Sequence, residues 1–223
     1  MNSWDRKIRY YLYTSTGRLT LLKFLSISAL IGVVALFLLT AVVLAVFSVD
    51  VPDPNKVVRR EGYSTIIYDR NGKVLYDVYD KQNRIPLDFF EMPKYLQQAT
   101  LAIEDKDFYK HQGVDPLGFL RVLKNLFVYR SLTGGSTLTQ QLVKNVLLTN
   151  ERTLTRKVKE AILASQIEKK FTKDQILQMY LNEAPYGGAT YGVESASEKY
   201  FGKHAKDLNL IESAILAGLP QQP

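Results

Sequence analysis

Two adjacent carboxylates, Glu104 and Asp105, open the stretch EDKDFYKHQG, which also carries His111. Repulsion between neighbouring negative charges, combined with partial burial, raises the pKa of a carboxylate toward the range useful for proton transfer. A pair of this kind could act as a general acid or base. The alternative is a solvated helix end, with His111 serving only as a hydrogen-bonding residue.

A second group of polar side chains lies in GGSTLTQQLVKN, residues 134–145. Its two glycines permit an unusual turn, after which Ser136 or Thr137 can begin a helix. Because Ser136, Gln140 and Lys144 recur every fourth residue, we expect them on one helical face that offers a hydroxyl, an amide and a cation to one ligand. The helix amino terminus would add N–H groups that favour an anion. The alternative is a capped helix with a polar, solvated side.

The stretch ERTLTRKVKE, residues 151–160, gathers several cations around one carboxylate. The carboxylate is Glu160, and the cations are Arg152, Arg156, Lys157 and Lys159. A diphosphate group requires such a concentration of positive charge, and Lys144 lies a short distance upstream. The alternative is a solvated charged face on which Arg156 and Glu160, one helical turn apart, form a surface pair.

A largely helical domain must position these residues. From Glu91 onward apolar residues recur every three or four positions, which is typical of α-helices. The capping-box spacing of Thr172 with Gln175, and of Asn209 with Glu212, supports two of the helix starts. The predicted helices are 91–104, 116–130, 136–149, 154–170, 173–183, 189–199 and 209–218.

Two further segments have their own patterns. Residues 64–79 place apolar and aromatic side chains on either side of Asn71 and Gly72, a dipeptide that tolerates a type I′ turn, so a β-hairpin is predicted. Residues 116–130 alternate large apolar side chains with Arg121, Lys124 and Arg130. That segment could lie on anionic lipid, or it could be an ordinary core helix with a basic solvated side.

Composition limits the classes of protein. The 223 residues, 46% of them hydrophobic, can bury one good core in addition to a membrane segment. A formal charge of +7 favours anionic partners, which could be nucleic acid, acidic lipid headgroups or phosphorylated substrates. The absence of cysteine excludes a disulfide framework, a thiolate metal site and a thiol nucleophile.

The amino-terminal part predicts a membrane anchor. Residues 24–47 contain no charge, and as a helix they would span about 36 Å, enough for the hydrocarbon core of a bilayer. Arginines and lysines dominate residues 1–23, so that tail is expected in the cytoplasm and the remainder outside. Residues 48–62 are predicted as a linker and 63–223 as the main domain. The alternative is a cleaved signal peptide.

Taken together, four motifs resemble the family 51 glycosyltransferases, the domain of class A penicillin-binding proteins and of monofunctional peptidoglycan polymerases. The motifs, in order, are EDKDFYKHQG, GGSTLTQQLVKN, RKVKE and KDQILQMYLNEAPYG. The resemblance runs from about Tyr63 to the end of the chain. It implies a mainly α, lysozyme-like helical lobe with a smaller membrane-associated jaw, located at the outer face of a bacterial cytoplasmic membrane.

The resemblance also implies roles for individual residues. Glu104 would be the general base that deprotonates the sugar 4-hydroxyl of lipid II, and Glu160 a second essential carboxylate near the leaving diphosphate. The implied substrate contacts are Asp105, Ser136, Gln140, Lys144, Arg152, Lys159 and, less firmly matched, Arg156 with Lys157. The product would be a β-1,4 glycan strand, and undecaprenyl diphosphate would be released.

The resemblance also implies which partners and cofactors the protein binds. Lipid II, the growing strand, membrane lipid and cell-wall synthesis proteins are expected to bind, and nucleic acid is not. No covalently bound cofactor is expected. Because the sequence shows no metal-ligand cluster, any Mg²⁺ would be carried on the substrate phosphates.

The resemblance also bears on the extent of the protein. Family members continue beyond the point where this sequence ends at Pro223, and no transpeptidase domain is present. We therefore expect a fragment of a bifunctional protein, with a short monofunctional enzyme as the alternative.

Two rival functions remain. A lytic enzyme with a lysozyme-like fold would also place a glutamate in a cleft, but cleavage of a neutral glycosidic bond does not require a cation cluster. A membrane-tethered scaffold without activity would bind precursors or partners only. The retained glutamates and cations favour a transferase over both.

Overall fold

The computed structural model describes residues 14–48, 51–58, 62–72, 74–79, 82–116, 118, 135–149, 151 and 153–221. The chain divides into two compact units, Met1–Val49 and Asp50–Pro223. The first unit contains helix α1, Ser15–Ser48. By length and composition this helix is able to cross a membrane, and the predicted segment 24–47 lies entirely within it.

Serine and threonine side chains do not interrupt α1. The hydroxyls of Thr20 and Thr40 each donate to the carbonyl four residues earlier, at 2.8 Å. A polar side chain that satisfies itself on its own helix in this way costs less in an apolar environment than an unpaired hydroxyl.

The second unit is mainly helical, as predicted. Its elements in chain order are β1 (Thr65–Tyr68), β2 (Val74–Val78), β3 (Asn83–Arg84), α2 (Lys94–Glu104), α3 (Leu138–Leu147), α4 (Leu154–Lys170), α5 (Lys173–Glu183), β4 (Thr190–Tyr191), α6 (Val193–Phe201) and α7 (Leu210–Gly218). Short 3-10 turns cover Pro54–Val57, Phe89–Glu91, Ala205–Asp207 and Leu219–Gln221.

Capping residues explain where the helices begin. The predictions 154–170 and 173–183 are confirmed, because Thr153 and Thr172 accept N–H groups at the starts of α4 and α5. The predicted capping box of Asn209 with Glu212 is present at the start of α7. Each such cap contributes on the order of 1 kcal/mol.

Four predicted helices have different bounds in the structure. α7 begins at Leu210, one residue later than predicted, because Asn209 is its N-cap. α2 begins at Lys94, three residues later than predicted, because Pro93 occupies the N-cap and a 3-10 turn precedes it. α3 is shorter than 136–149 because Thr137 is its N-cap. α6 begins at Val193 instead of 189, because residues 190–191 form a strand. The predicted helix 116–130 lies almost entirely outside the described residues.

The predicted hairpin is present, but its reversal is longer than a two-residue turn. β1 and β2 pair antiparallel, with Thr65 opposite Val78 and a register shift after Ile67. Five residues, 69–73, connect the strands. The Asp69 carboxylate accepts the Asn71 N–H at 2.8 Å, and the Asp69 carbonyl accepts the Gly72 N–H at 3.1 Å. This aspartate therefore organises a wider loop than a type I′ turn.

A second small sheet, which the sequence patterns did not predict, joins distant parts of the chain. β3 and β4 pair in parallel, with Asn83 opposite Thr190. Beside this pairing Arg84 and Glu183 form a buried ion pair at 3.1 Å, with side chains 2% and 5% exposed. Separating the two residues would leave two uncompensated buried charges. The ion pair therefore holds the segment before α2, which carries Arg84, against α5, which ends in Glu183.

Helix α3 lies at the centre of the second unit. It packs against α4, α5 and the turn Pro54–Val57, and its Leu138, Leu142 and Val143 side chains are fully buried. Val57 is also in this core, at 1% exposure, so part of the predicted linker 48–62 is packed within the second unit. Burial of each such side chain contributes about 1.5–3 kcal/mol.

The loop after α2 approaches the backbone of α4 very closely. Gly113 has a φ of +85°, and a Cβ atom placed on it would lie 2.7 Å from the carbonyl carbon and oxygen of Ala164. The Gly113 carbonyl accepts the Thr137 hydroxyl at 2.6 Å, which ties the loop to the start of α3. Only glycine satisfies both the backbone conformation and the approach.

We predict that Gly113→Ala will lower the free energy of unfolding by at least about 1 kcal/mol more than Gly202→Ala. Gly202 also has a positive φ of +66°, but nothing lies within 4 Å of its added Cβ, so it isolates the conformational cost from the clash. Urea unfolding followed by circular dichroism in detergent will measure both. Equal losses in the two variants would contradict the close packing of this loop on α4.

Candidate active site

Glu104 ends helix α2 and is held from α3. The side-chain amide of Gln141 donates to its Oε2 at 2.7 Å, and the Tyr180 hydroxyl donates to the Gln141 Oε1 at 3.4 Å. The other oxygen, Glu104 Oε1, is buried and has no hydrogen-bond partner among the residues that the structure describes. One oxygen is therefore fixed, and the second can accept a proton from a bound molecule.

Two buried tyrosines border this carboxylate. Burial raises the pKa of Tyr180 well above its usual value, and the negative charge of Glu104 adds to the shift. Burial and the Glu104 charge likewise raise the pKa of Tyr186. Both phenols therefore stay neutral at any physiological pH, and neither competes with Glu104 as a base.

Asp105 joins two sequence motifs within the protein. Its Oδ2 accepts the N–H of Leu138, the first residue of α3, at 2.9 Å, and His111 Nε2 lies 3.0 Å from both carboxylate oxygens. The side chain is only 6% exposed. A carboxylate at a helix amino terminus is also favoured by the helix dipole. Its oxygens accept from protein groups on two sides, so Asp105 positions the motifs relative to each other, and the substrate contact expected of it stays a prediction.

The expected shared face of Ser136, Gln140 and Lys144 does not form. Ser136 precedes the N-cap and lies outside α3, while Gln140 is buried and its side-chain oxygen accepts the Thr137 N–H at 3.1 Å. Gln140 therefore closes a capping box, and the substrate contact expected of it stays a prediction. The Thr137-x-x-Gln140 spacing is visible in the sequence and could have revealed this.

The residue that sequence reasoning missed is Gln141. It lies three positions before Lys144, so the two residues are neighbours on the same side of α3. Lys144 is half-buried and forms no ion pair with the part of the chain that the structure describes. Gln141 thus places an amide on Glu104, and Lys144 adds a cation one turn further along α3.

Glu160 is the centre of a compact ionic cluster on α4. It is 2% exposed; Arg156 Nη1 donates to its Oε1, and Lys157 Nζ lies 2.8 Å from its Oε2. Lys157 also donates to the Ser136 hydroxyl at 2.6 Å, so the structure brings Ser136 to the third motif instead of to Gln140. Two cations on one carboxylate leave a net positive charge at this surface.

A cavity of about 360 Å³ adjoins this cluster. Arg156 and Lys159 contribute its cations and Glu151 an acidic group. Its other lining residues are Val51, Pro52, Leu147, Leu148, Thr149, Thr153 and Thr155. Arg152, predicted to contact substrate, lies outside the described residues. The cavity is of a size that admits a charged headgroup beside an apolar wall.

A second cavity, of about 520 Å³, contains none of the predicted site residues. It is lined from α5 by Gln178, Met179 and Asn182, and from the segment before α2 by Leu87 and Asp88. Asn182 and Gln178 both donate to the Leu87 carbonyl, at 2.9 and 3.3 Å. These two amides therefore join α5 to the segment before α2 along the cavity wall.

Comparison with known proteins agrees with the motifs and the helical fold. The model of the transglycosylase family matches residues 71–223, and the chain belongs to this family. Penicillin-binding protein 1A of Rickettsia bellii is 42% identical over 190 residues, which cover 83% of this chain and 24% of the relative. Penicillin-binding protein 1A of Clostridium tetani is 46% identical over 164 residues, covering 71% and 21%.

Further relatives show the same pattern. Penicillin-binding protein 1F of Bacillus subtilis is 42% identical over 161 residues, covering 72% of this chain and 22% of the relative. The crystal structure of penicillin-binding protein 1A from Haemophilus influenzae is 26% identical, with a TM-score of 0.34, and covers 73% of this chain and 14% of that one. The chain spans about a quarter of the length of the relatives it matches.

We predict that Asp105→Asn will lower the free energy of unfolding by about 2 kcal/mol, because a buried acceptor of two donors is replaced by a neutral amide. Asp107→Asn is the control: its partner Lys110, at 2.9 Å, is 79% exposed, so we expect a loss below about 1 kcal/mol. Urea unfolding will compare the two. A loss at Asp105 no larger than at Asp107 would contradict the positioning role of Asp105.

Proposed function

We propose that this chain is a peptidoglycan glycosyltransferase that polymerises lipid II into β-1,4 glycan strands with inversion at the anomeric carbon. The observation that carries the proposal is the arrangement of Glu104, with one oxygen held by Gln141 and the other buried without a partner among the described residues. Membership of the transglycosylase family supports it.

In the proposed reaction Glu104 is the general base. The 4-hydroxyl oxygen of the lipid II acceptor attacks the anomeric carbon of the donor strand, and its proton passes to Glu104 Oε1. The bond between the anomeric carbon and the diphosphate breaks, and undecaprenyl diphosphate departs with the electron pair. Gln141 keeps the carboxylate oriented while it takes the proton, which is the condition for efficient proton transfer.

The leaving diphosphate needs positive charge more than it needs a proton. Lys144 from α3, with Arg156, Lys157 and Lys159 from α4, supplies that charge, and Arg152 is expected to join them. Buried Glu160 holds Arg156 and Lys157 in place, so we assign it the role of orienting cations. Any Mg²⁺ would be carried on the substrate phosphates.

This concentration of cations favours transfer over lysis. Hydrolysis of a glycan strand has a neutral sugar hydroxyl as its leaving group, which calls for a protonated carboxylic acid. A phosphorylated leaving group instead departs as an anion, which calls for positive charge and not for an acid. The basic residues around Glu160 meet that requirement.

Helix α1 supports a location at the membrane, where a polyprenyl-linked substrate resides. We propose that α1 anchors the protein in the bacterial cytoplasmic membrane as a single span. The basic residues of the tail, 1–23, favour a cytoplasmic amino terminus, which would place the catalytic unit on the outer face. Cell-wall synthesis proteins are the expected protein partners.

We predict that Glu104→Gln will abolish glycan polymerisation, because the amide that replaces the carboxylate cannot accept the proton. The assay is incubation of the detergent-solubilised protein with labelled lipid II and Mg²⁺, followed by gel separation of glycan chains. Glu91→Gln is the matched control, since Glu91 closes an exposed capping box that glutamine also forms.

The assay separates the rival functions. A ladder of chains from the parent and the control, absent in Glu104→Gln, supports the transferase. A ladder retained in Glu104→Gln would overturn the base assignment. Release of soluble fragments from purified peptidoglycan, without consumption of lipid II, would favour the lytic alternative.

We further predict that substitutions at two adjacent glutamines will affect different properties, the reaction rate for Gln141 and the folding stability for Gln140. Gln141→Met removes the amide that fixes Glu104, so kcat should fall by about tenfold or more while the folded state keeps its stability. Gln140→Met breaks the capping box of α3, so the main effect should be a loss of about 1 kcal/mol in unfolding free energy. Initial rates of lipid II consumption and urea unfolding will be measured for both; the reverse pattern would return the site role to Gln140.

A further inference from the structure

A group of three side chains outside the proposed active site has the composition of a transition-metal site. Glu194 and Glu198 lie one turn apart on α6, and His204 follows shortly after the helix ends. One ligand atom from each, the carboxylate oxygens and the His204 Nδ1, lies within 4.8 Å of the other two. We propose that Glu194, Glu198 and His204 bind a divalent transition-metal ion of the Zn²⁺ class.

The distances fit a small tetrahedral ion. Zn²⁺ binds oxygen and nitrogen ligands at about 2.0–2.1 Å, so neighbouring ligands of a tetrahedral site lie about 3.3 Å apart. His204 Nδ1 lies 2.7 Å from Glu194 Oε1 and 3.7 Å from Glu198 Oε1. These two separations lie on either side of the required value, and the two carboxylate oxygens lie within 4.8 Å of each other, so the ligands need to move only slightly around a bound ion.

The fold orients the ligands in advance. The Glu194 side chain is 6% exposed, and its second oxygen, Oε2, accepts the N–H of Ala205 at 2.8 Å, which leaves Oε1 directed at His204. Gly202 ends α6 in the left-handed conformation and turns the chain back toward the helix. Such hydrogen bonds to a ligating carboxylate are typical second-sphere supports of metal sites.

Charge balance also favours a divalent ion. With a protonated His204, the two carboxylates and the imidazolium carry a net charge of −1. With a neutral imidazole and a divalent ion, the group is neutral, and its ligands are in the deprotonated state that metal binding requires. An imidazole ligand favours a transition metal such as Zn²⁺ over Mg²⁺, which prefers oxygen.

An ion can reach the group directly from solvent. His204 is 55% exposed, whereas Glu194 is 6% exposed and is held from the protein side by the Ala205 N–H.

A bound ion would join α6 to the turn Ala205–Asp207 and so support the carboxyl-terminal part of the fold. The fourth coordination position would hold water, since three protein ligands leave it open. The inference is independent of the proposed transferase reaction, because none of these residues belongs to the three site motifs.

Isothermal titration calorimetry with ZnCl2 on the detergent-solubilised chain tests the inference, with MgCl2 as the comparison ion. We expect one equivalent of Zn²⁺ to bind, with affinity at least about tenfold weaker in Glu198→Gln and in His204→Gln. Asp207→Asn is the matched control, because it removes a nearby negative charge from an exposed residue without removing a ligand. Its affinity should be unchanged.

Thermal unfolding provides a readout that does not depend on activity. Zn²⁺ should raise the unfolding temperature of the parent chain and of Asp207→Asn, and it should not raise that of Glu198→Gln. The conservative Glu198→Gln variant keeps the test valid if His204→Gln folds poorly. Absence of binding at about 0.1 mM Zn²⁺, or equal loss in Asp207→Asn, would overturn the proposal in favour of a simple histidine–glutamate ion pair.

Discussion

The contact between the Asp105 carboxylate and the Leu138 N–H is the constraint on which the site depends. Asp105 directly follows the helix that ends in Glu104, and Leu138 begins the helix that carries Gln141. The same carboxylate binds His111, and the loop beyond it packs Gly113 against α4. A single buried side chain thus sets the relative position of three helices.

The rest of the polar organisation builds outward from α3. Its first residues join the loop after α2, Gln141 reaches Glu104, and Ser136, just before the helix, meets Lys157 on α4. Because the apolar side of α3 is fully buried, the helix cannot rotate without loss of core packing. Polar residues on its other sides therefore keep fixed positions relative to both motif-bearing carboxylates, Glu104 and Glu160.

Sequence reasoning located the helices that begin with a recognisable cap and have an uninterrupted apolar period. It failed where a contact between distant residues decides the local structure. Residues 190–191 are a strand because they pair with residues 83–84, and two-residue strands carry no periodic signal. The buried ion pair of Arg84 with Glu183 was invisible for the same reason.

The predicted site residues differ in the same way, because motifs identified some of them while the contacts of others depend on the fold. Glu104 and Glu160 were recognised by motif, and the structure gives each a distinct environment. Gln140 was named from its spacing to Ser136 and from the family motif, whereas the structure places Gln140 in the cap of α3 and Gln141 against Glu104. The commitment of Asp105 to a backbone N–H depends on a loop whose course a sequence pattern does not reveal.

The pairing of α2 with α7 has a consequence for the order in which the chain becomes stable. α2, which ends in Glu104, packs against the helix Leu210–Gly218, which lies more than a hundred residues later in the chain. β3 pairs with β4, and a similar length of chain separates these two strands. Closing such long loops costs entropy before any contact compensates for it. A chain still being synthesised therefore holds the segment around Glu104 unprotected until the helix Leu210–Gly218 has emerged, and an earlier stop would leave that segment open to proteases and to aggregation.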